Sequence, residues 1–323
     1  MSPPTHTTTT SNLTLTDGHT LYTKTWSPTT PHTATLIFIH GFSDHCNFYG
    51  ILFPTLAAQH AIKTYSFDQR GWGRSVHAPK EKGLTGGTAR VMSDMTEFIR
   101  HVFAQEEVDG RKDVPVFLMG HSMGGAEVLC YLATGPREVL SRIRGFLCES
   151  PFVALHESSR PSRLTVALGR LAGRVLPSRQ MVNQLEPGKL CRDEEVVRAY
   201  EADELCHDTG TLEGLAGMLD RASDLENDKV VVRDGVGEGG KTRLWVGFGT
   251  GDQILSERVC REWFGRVEVE DKEFRVYEGW YHKLHAEPGE DKVTFAGDVG
   301  RWMLGRCGSL EEGAGGGSAK AKL

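Results

Sequence analysis

Apolar residues recur along this chain in short blocks, and the blocks alternate between two rhythms. Leu13–Thr16 and His19–Trp26 flank Asp17-Gly18, a turn dipeptide, and the pattern predicts a β-hairpin. Thr35–His40 is an apolar β-rich run ending in a glycine loop, and Ile62–Asp68 is another. Over Thr88–Gln105 the period changes. Val91, Met95, Phe98 and Val102 fall at helical spacing, with Met92, Ile99 and Phe103 beside them. A strand at Val116–Met119, a helix over Gly125–Ala133 and a strand at Gly145–Glu149 follow. After Glu226 the rhythm resumes as strand Arg243–Gly249, helix Glu257–Phe264, strand Glu273–Tyr277 and a last helix near Lys292–Leu304. This alternation predicts an α/β fold: a mostly parallel central sheet with helices on both faces, led in by two antiparallel strands.

Pro151–Leu225 breaks the alternation. It is helical in pattern, rich in Leu, Ala and Arg, and shows no convincing strand, so it reads as an inserted cap. The expected organisation is a disordered segment over 1–12, a core over 13–150 and 226–306, a helical cap over 151–225 and a flexible tail over 307–323. Within the cap, Leu164, Ala167, Leu168, Leu171, Ala172 and Val175 share one helical face, with Arg163, Arg170 and Arg174 beside it. A lid helix would pack that face on the core. A basic amphipathic helix would lay it on a membrane or lipid-droplet surface.

Composition narrows the classes. The 323 residues suffice for one large core or a core plus a small accessory domain. Net charge is −6 and the basic residues are dispersed, which argues against nucleic acid as a partner. The first ten residues have no apolar signal region, and no apolar run reaches the length of a bilayer span. The seven cysteines are scattered, and Cys130 and Cys148 sit in apolar stretches as buried thiols do. A reducing, intracellular setting is expected, in the cytosol or at a lipid surface. Ala321-Lys322-Leu323 resembles the Ser-Lys-Leu address with Ala for Ser, which makes a peroxisomal import receptor a candidate partner.

The chemistry concentrates at Gly120-His121-Ser122-Met123-Gly124. Strand, G-x-S-x-G and helix form the context of a nucleophile elbow, where a serine sits on a sharp turn. A free hydroxyl is a poor nucleophile near neutral pH, so a base and an orienting acid are required elsewhere. Asp252 follows the strand Arg243–Gly249, and His282 follows the strand ending at Tyr277. Groups at the carboxyl ends of strands gather at the active edge of an open α/β sheet. His285 competes with His282; His282 is preferred because it comes first off the strand, with His285 at the rim. Acyl transfer also needs two N–H donors for the oxyanion. Met123 directly follows the serine, and Phe42 lies in the loop His40-Gly41-Phe42-Ser43-Asp44. Asp68 and Arg70, in a second glycine-punctuated loop, are expected to hold the neighbouring loops.

One further motif competes. Gly235-Val236-Gly237-Glu238-Gly239-Gly240-Lys241-Thr242 matches the phosphate-binding pattern G-x-x-x-x-G-K-[ST], with Val230-Val231-Val232 as a candidate strand before it. Such a loop must open a helix whose N-terminus meets the phosphate. The apolar run that follows reads instead as the strand leading to Asp252. No nucleotide is expected there, and 235–240 reads as a flexible loop.

His40-Gly41-Phe42, Asp68-Gln69-Arg70-Gly71-x-Gly73-x-Ser75, the elbow with Gly125, Glu149-Ser150-Pro151, Gly249-x-x-Asp252 and Tyr281-His282-x-x-His285 together resemble the monoacylglycerol lipase family in its fungal form. The resemblance runs over roughly residues 13–305, and Tyr200-Glu201-Ala202-Asp203 resembles a segment late in that family's cap. It implies an α/β-hydrolase fold and cleavage of monoacylglycerols to fatty acid and glycerol at lipid surfaces, without metal or cofactor. It implies Ser122 as nucleophile, Asp252 as acid, His282 as base, and Phe42 and Met123 as the oxyanion hole. Asp44 and His285 fall where the family binds glycerol. The family often carries an arginine shortly after the position of Asp44; Cys46-Asn47-Phe48-Tyr49 offers none. A broader carboxylesterase, a lysophospholipase or an acyl-thioesterase therefore stays open, as does a lipid-binding protein that keeps the fold without turnover.

Overall fold

The structure, a computed structural model, describes residues 6–160 and 162–308. The peroxisomal-type tripeptide at 321–323 lies outside the described residues. β1 (His6–Thr14) and β2 (Thr20–Pro28) pair antiparallel across the predicted turn, where Gly18 takes φ +87°. The hairpin is longer than expected. Residues 6–12, expected to be disordered, are a strand in register with β2, a correction to the reading of 1–12. Their Thr-rich run suits β structure, in which β-branched side chains are at ease.

The core then alternates as the hydrophobic pattern predicts. β3 (Ala34–Ile39) leads to α1 (Leu52–His60), β4 (Ile62–Phe67), α2 (Thr88–Val108), β5 (Val116–His121), α3 (Met123–Thr134), the single turn α4 (Arg137–Leu140) and β6 (Ile143–Glu149). The helix α1 had no clear pattern, being short and carrying Pro54. The proline is accommodated in the first turn, where its missing N–H has no helical acceptor to lose. The cap contributes α5 (Arg163–Val175), β7 (Gln180–Val182), α6 (Glu194–Ala202), β8 (Thr209–Thr211) and α7 (Leu212–Glu226). β9 (Arg243–Gly249), α8 (Glu257–Arg266), β10 (Asp271–Tyr277) and α9 (Asp291–Leu304) complete the core. The cap is not wholly helical: β7 and β8 form a small antiparallel ladder, a correction to the reading without strands. Three residues each are too few to show an alternation.

The main sheet has eight strands in the order β1-β2-β4-β3-β5-β6-β9-β10, parallel from β4 onward. Successive side chains along each strand point to opposite faces. Leu36, Phe38, Phe117, Met119 and Leu147 pack with α1 and α9. Ile37, Ile39, Leu118, Phe146 and Cys148 pack with α2, α3 and α8. Two apolar layers thus clamp the sheet and fix where its carboxyl edge lies.

The segment 235–240, expected as a flexible loop, ends in a 3-10 turn over Glu238–Gly240 and is held in place: Glu238 pairs with the Arg144 guanidinium, and Thr242 Oγ1 donates to the Arg233 carbonyl at 2.9 Å. The triplet Val230–Val232 forms no strand; its neighbour Arg233 makes an isolated bridge to Glu268. β9 follows the turn directly, so the phosphate-loop pattern opens no helix.

One buried carboxylate ties the layers. Glu106 of α2 accepts from Tyr65 Oη at 2.8 Å, from Thr35 Oγ1 at 3.2 Å and from His32 Nε2 at 2.7 Å, with Lys63 Nζ at 3.1 Å. Burial alone would raise this carboxyl, but the His32 and Tyr65 hydrogen bonds and the Lys63 charge outweigh it and bring it from 4.5 down to about 2. Its stabilising contribution is therefore complete above pH 4.5 and is lost as pH falls toward 2. Glu106→Gln should lower stability near pH 7 by roughly 1–3 kcal/mol, and its deficit against the native chain should shrink by pH 3, read by urea unfolding.

Candidate active site

β5 ends at His121, and Ser122 takes φ +56° and ψ −115° before α3 begins at Met123. That backbone is strained for a residue with a side chain. The surroundings impose it. A Cβ at Gly120 would lie 2.2 Å from the Gly124 carbonyl oxygen, and one at Gly124 would lie 2.4 Å from that of Ile39. Glycine at both positions lets α3 pass against β5 and β3. The serine backbone is further held by its N–H donating to Glu149 O at 2.9 Å and its carbonyl accepting from Phe152 N at 2.9 Å.

The turn projects Ser122 Oγ to 2.8 Å from His282 Nε2. His282 Nδ1 lies 2.7 Å from Asp252 Oδ2. The second oxygen of Asp252 accepts from the N–H groups of Ile254 and Leu255 at 2.8 and 2.9 Å. The loops carrying Asp252 and His282 brace each other: Thr250 N–H donates to Tyr277 O and Gly251 N–H to Trp280 O, at 3.0 and 2.9 Å. Of the two histidines in the β10 loop, His282 is thus the one that meets the serine.

Phe42 and Met123 line the cavity around Ser122 together with His282. Met123 opens α3, so its N–H has no acceptor within its own helix. The loop bearing Phe42 is anchored from behind: Gly41 N–H donates to Tyr49 Oη at 3.1 Å. Asp68 and Arg70 hold the neighbouring loops as expected. Asp68 accepts from the N–H groups of Cys46 and Arg74 at 2.8 and 2.7 Å, and Arg70 bridges Asp17 and Asp94.

Asp44 and His285 are brought near the site but are buried in its wall rather than lining the cavity. Asp44 accepts from Lys283 Nζ at 2.7 Å, Tyr49 Oη at 3.2 Å and its neighbour His45 N at 2.8 Å. Burial opposes its charge, but Lys283 and His45 prevail and hold it below the usual carboxylate range. His285 gives both its backbone N–H and its Nδ1 to Glu149 Oε1, at 3.0 and 2.7 Å. Lys283 lines the cavity itself. Sequence reasoning missed it: its adjacency to His282 was visible, but its contact with Asp44 spans 239 positions.

The cap closes the cavity with Asn183, Leu185, Leu190, Tyr200 and Met218. Among the bonds by which it grips the core, Leu190 O accepts from Lys283 N at 2.7 Å, His45 Nε2 lies 2.9 Å from Asp203 Oδ2, and the buried Arg221 pairs with Glu127 at 3.0 Å. Two groups of metal-ligating type occur among the described residues, His121–Glu149–His285 and His45–Asp203–Cys206. In each, a histidine nitrogen is already engaged with the carboxylate. All seven cysteines are free.

A strained serine turn between strand and helix, with an acid and a histidine following later strands of a mostly parallel sheet, defines an α/β-hydrolase. Residues 30–289 match the Hydrolase_4 family, described as serine aminopeptidase, S33, and the chain belongs to that family. It is 28% identical over 289 residues to the monoacylglycerol lipase of Mycolicibacterium smegmatis, covering 86% of this chain and 91% of that one. It is 27% identical over 303 residues to the monoglyceride lipase of Mus musculus, covering 92% and 91%. A soluble variant of Saccharomyces cerevisiae monoglyceride lipase, solved with a substrate analogue, superposes with a TM-score of 0.82 at 20% identity, over 96% of this chain and all of the other.

Gly124→Ala should force α3 away from β3, because the obstructing atoms are backbone and cannot swing aside. Hydrolytic turnover should fall by roughly a hundredfold or more as Ser122 leaves its alignment, read with any activated ester.

Proposed function

We propose that this chain is a carboxylic ester hydrolase that cleaves monoacylglycerols to fatty acid and glycerol through an acyl-enzyme on Ser122. The observation that carries the reading is the unbroken chain Ser122–His282–Asp252 opening onto an apolar cavity. Ser122 Oγ attacks the ester carbonyl while His282 Nε2 takes its proton. Asp252 holds the imidazole by Nδ1 and balances its charge. The tetrahedral oxyanion lies toward the N–H groups of Phe42 and Met123. As it collapses, His282 returns the proton to the departing glycerol oxygen. Water then attacks the acyl-serine by the same route and releases the fatty acid.

The acyl chain has a place to go. The cavity at Ser122 shares Phe152, Leu155, Asn183 and Met218 with a second cavity of about 300 Å³, which runs between α5 and α7 past Leu212, Leu215 and Leu219. Among the described residues lining the serine cavity, none is Asp or Glu. A free peptide amine would meet no carboxylate there, which favours an ester over the peptide that the family description suggests.

The cap supports work at a lipid surface. Leu168, Leu171 and Val175 of α5 are 57%, 58% and 70% exposed, and Leu176, Met181 and Val182 continue the patch. The apolar side of α5 is thus turned outward at these positions, with Arg170 beside it paired to Asp220. A contiguous exposed apolar patch on a cap suits insertion among acyl chains. No helix among the described residues is long and apolar enough to cross a membrane.

Ser122→Ala should abolish both hydrolysis of monooleoylglycerol and labelling by a fluorophosphonate probe; turnover surviving in that variant refutes the acyl-enzyme. The double change Leu168→Ser/Leu171→Ser should reduce hydrolysis of vesicle-borne monooleoylglycerol at least about fivefold more than that of a short soluble ester. Equal effects on the two would argue against the surface role of α5.

A further inference from the structure

Lys283 is a buried ammonium beside the catalytic base. Its residue is 2% exposed, yet it lines the cavity that holds Ser122 and His282. A lysine in such a place must be paired, and Asp44, 1% exposed, does this at 2.7 Å. Three aromatic rings also lie around it. The nitrogen lies 4.5 Å from the centroid of the Phe48 ring, 5.2 Å from that of Tyr200 and 6.0 Å from that of Tyr49. Ring faces steady a cation without consuming its N–H groups as an oxygen would. An ammonium has three donors. Among the described residues, Asp44 supplies its only oxygen acceptor. Donor capacity is therefore left over at the cavity wall, next to the histidine that hands a proton to the leaving alcohol.

We propose that Lys283 is a specificity-determining residue that donates a hydrogen bond to a free hydroxyl of the alcohol half of the ester, selecting neutral polyol monoesters. This rests on the ester-hydrolase reading given above. The charge of the pair decides the class of alcohol. Lys283 and Asp44 together are neutral, so a hydroxyl finds a donor without bringing charge into the buried site. A phosphate on the alcohol would bring negative charge within reach of Asp44, with no second lysine or arginine among the described residues lining the cavity to balance it. Simple alkyl esters would leave the spare donors unmet and lose the contact.

The test compares kcat/KM for 1-monooleoylglycerol, ethyl oleate and 1-oleoyl lysophosphatidate in the native chain, Lys283→Met and Lys283→Arg. The native chain should prefer the glycerol ester over each of the other two by at least about tenfold. In Lys283→Met the preference over ethyl oleate should fall toward unity, and Lys283→Arg should restore most of it. Because Lys283→Met strands the Asp44 charge, Asp44→Asn/Lys283→Met is made alongside it, and fluorophosphonate labelling of Ser122 reports whether each site is intact. A preference unchanged in a labelled Lys283→Met or double variant overturns the proposal. So does a native chain that hydrolyses ethyl oleate as well as the glycerol ester, which would leave the esterase reading standing. A native chain that labels at Ser122 but hydrolyses none of the three esters overturns the monoacylglycerol reading itself.

Discussion

Everything at the active edge depends on how closely α3 passes β5. Two glycines without room for a methyl group, Gly120 and Gly124, bring a helix onto a strand with a single serine between them. That residue has no relaxed backbone to adopt, and it accepts φ +56° because hydrogen bonds to Glu149 and Phe152 hold it from the neighbouring strand end. Strain of this kind persists only where packing over-determines it. The packing here is the two-sided core: alternate residues of β3, β5 and β6 commit the sheet to both helical layers. The Ser122 hydroxyl is thus aimed by the hydrophobic core.

The parts of this arrangement that the sequence made legible are those with local causes. The strand at Arg243–Gly249 and the helix over Glu257–Phe264 follow from period alone and reappear almost residue for residue. Ser122, His282 and Asp252 could be named because each sits just past a strand in a sheet whose order is constrained, and the three meet within hydrogen-bonding distance. What stayed hidden has non-local causes. The turn at 235–240 is ordered by Arg144, far away in sequence, and its glycines read as flexible without that partner. The strand over 6–12 is polar and gains its order from β2 rather than from burial. Lys283 gives no signal of its own until Asp44 is set beside it.

The amphipathic helix of the cap illustrates a different limit. Its periodicity establishes that one face is apolar and cannot say which way that face turns. In the structure Leu168, Leu171 and Val175 point outward, while the small Gly173 sits against Leu212 of α7. At these positions the bulky side chains are kept for the outside while a glycine meets the neighbouring helix, the reverse of what burying a lid on its core would require.

The bond between the Lys283 N–H and the Leu190 carbonyl has a consequence for how such a molecule can change over generations. It joins backbone to backbone, so it is indifferent to the side chain at 190 and to almost any at 283 save proline. The cap can exchange the residues that shape its pocket while this bond to the segment carrying His282 stays the same. Diversification of the lining and preservation of the chemistry are thereby separated within one chain, and the joint between them is written in atoms that mutation leaves alone.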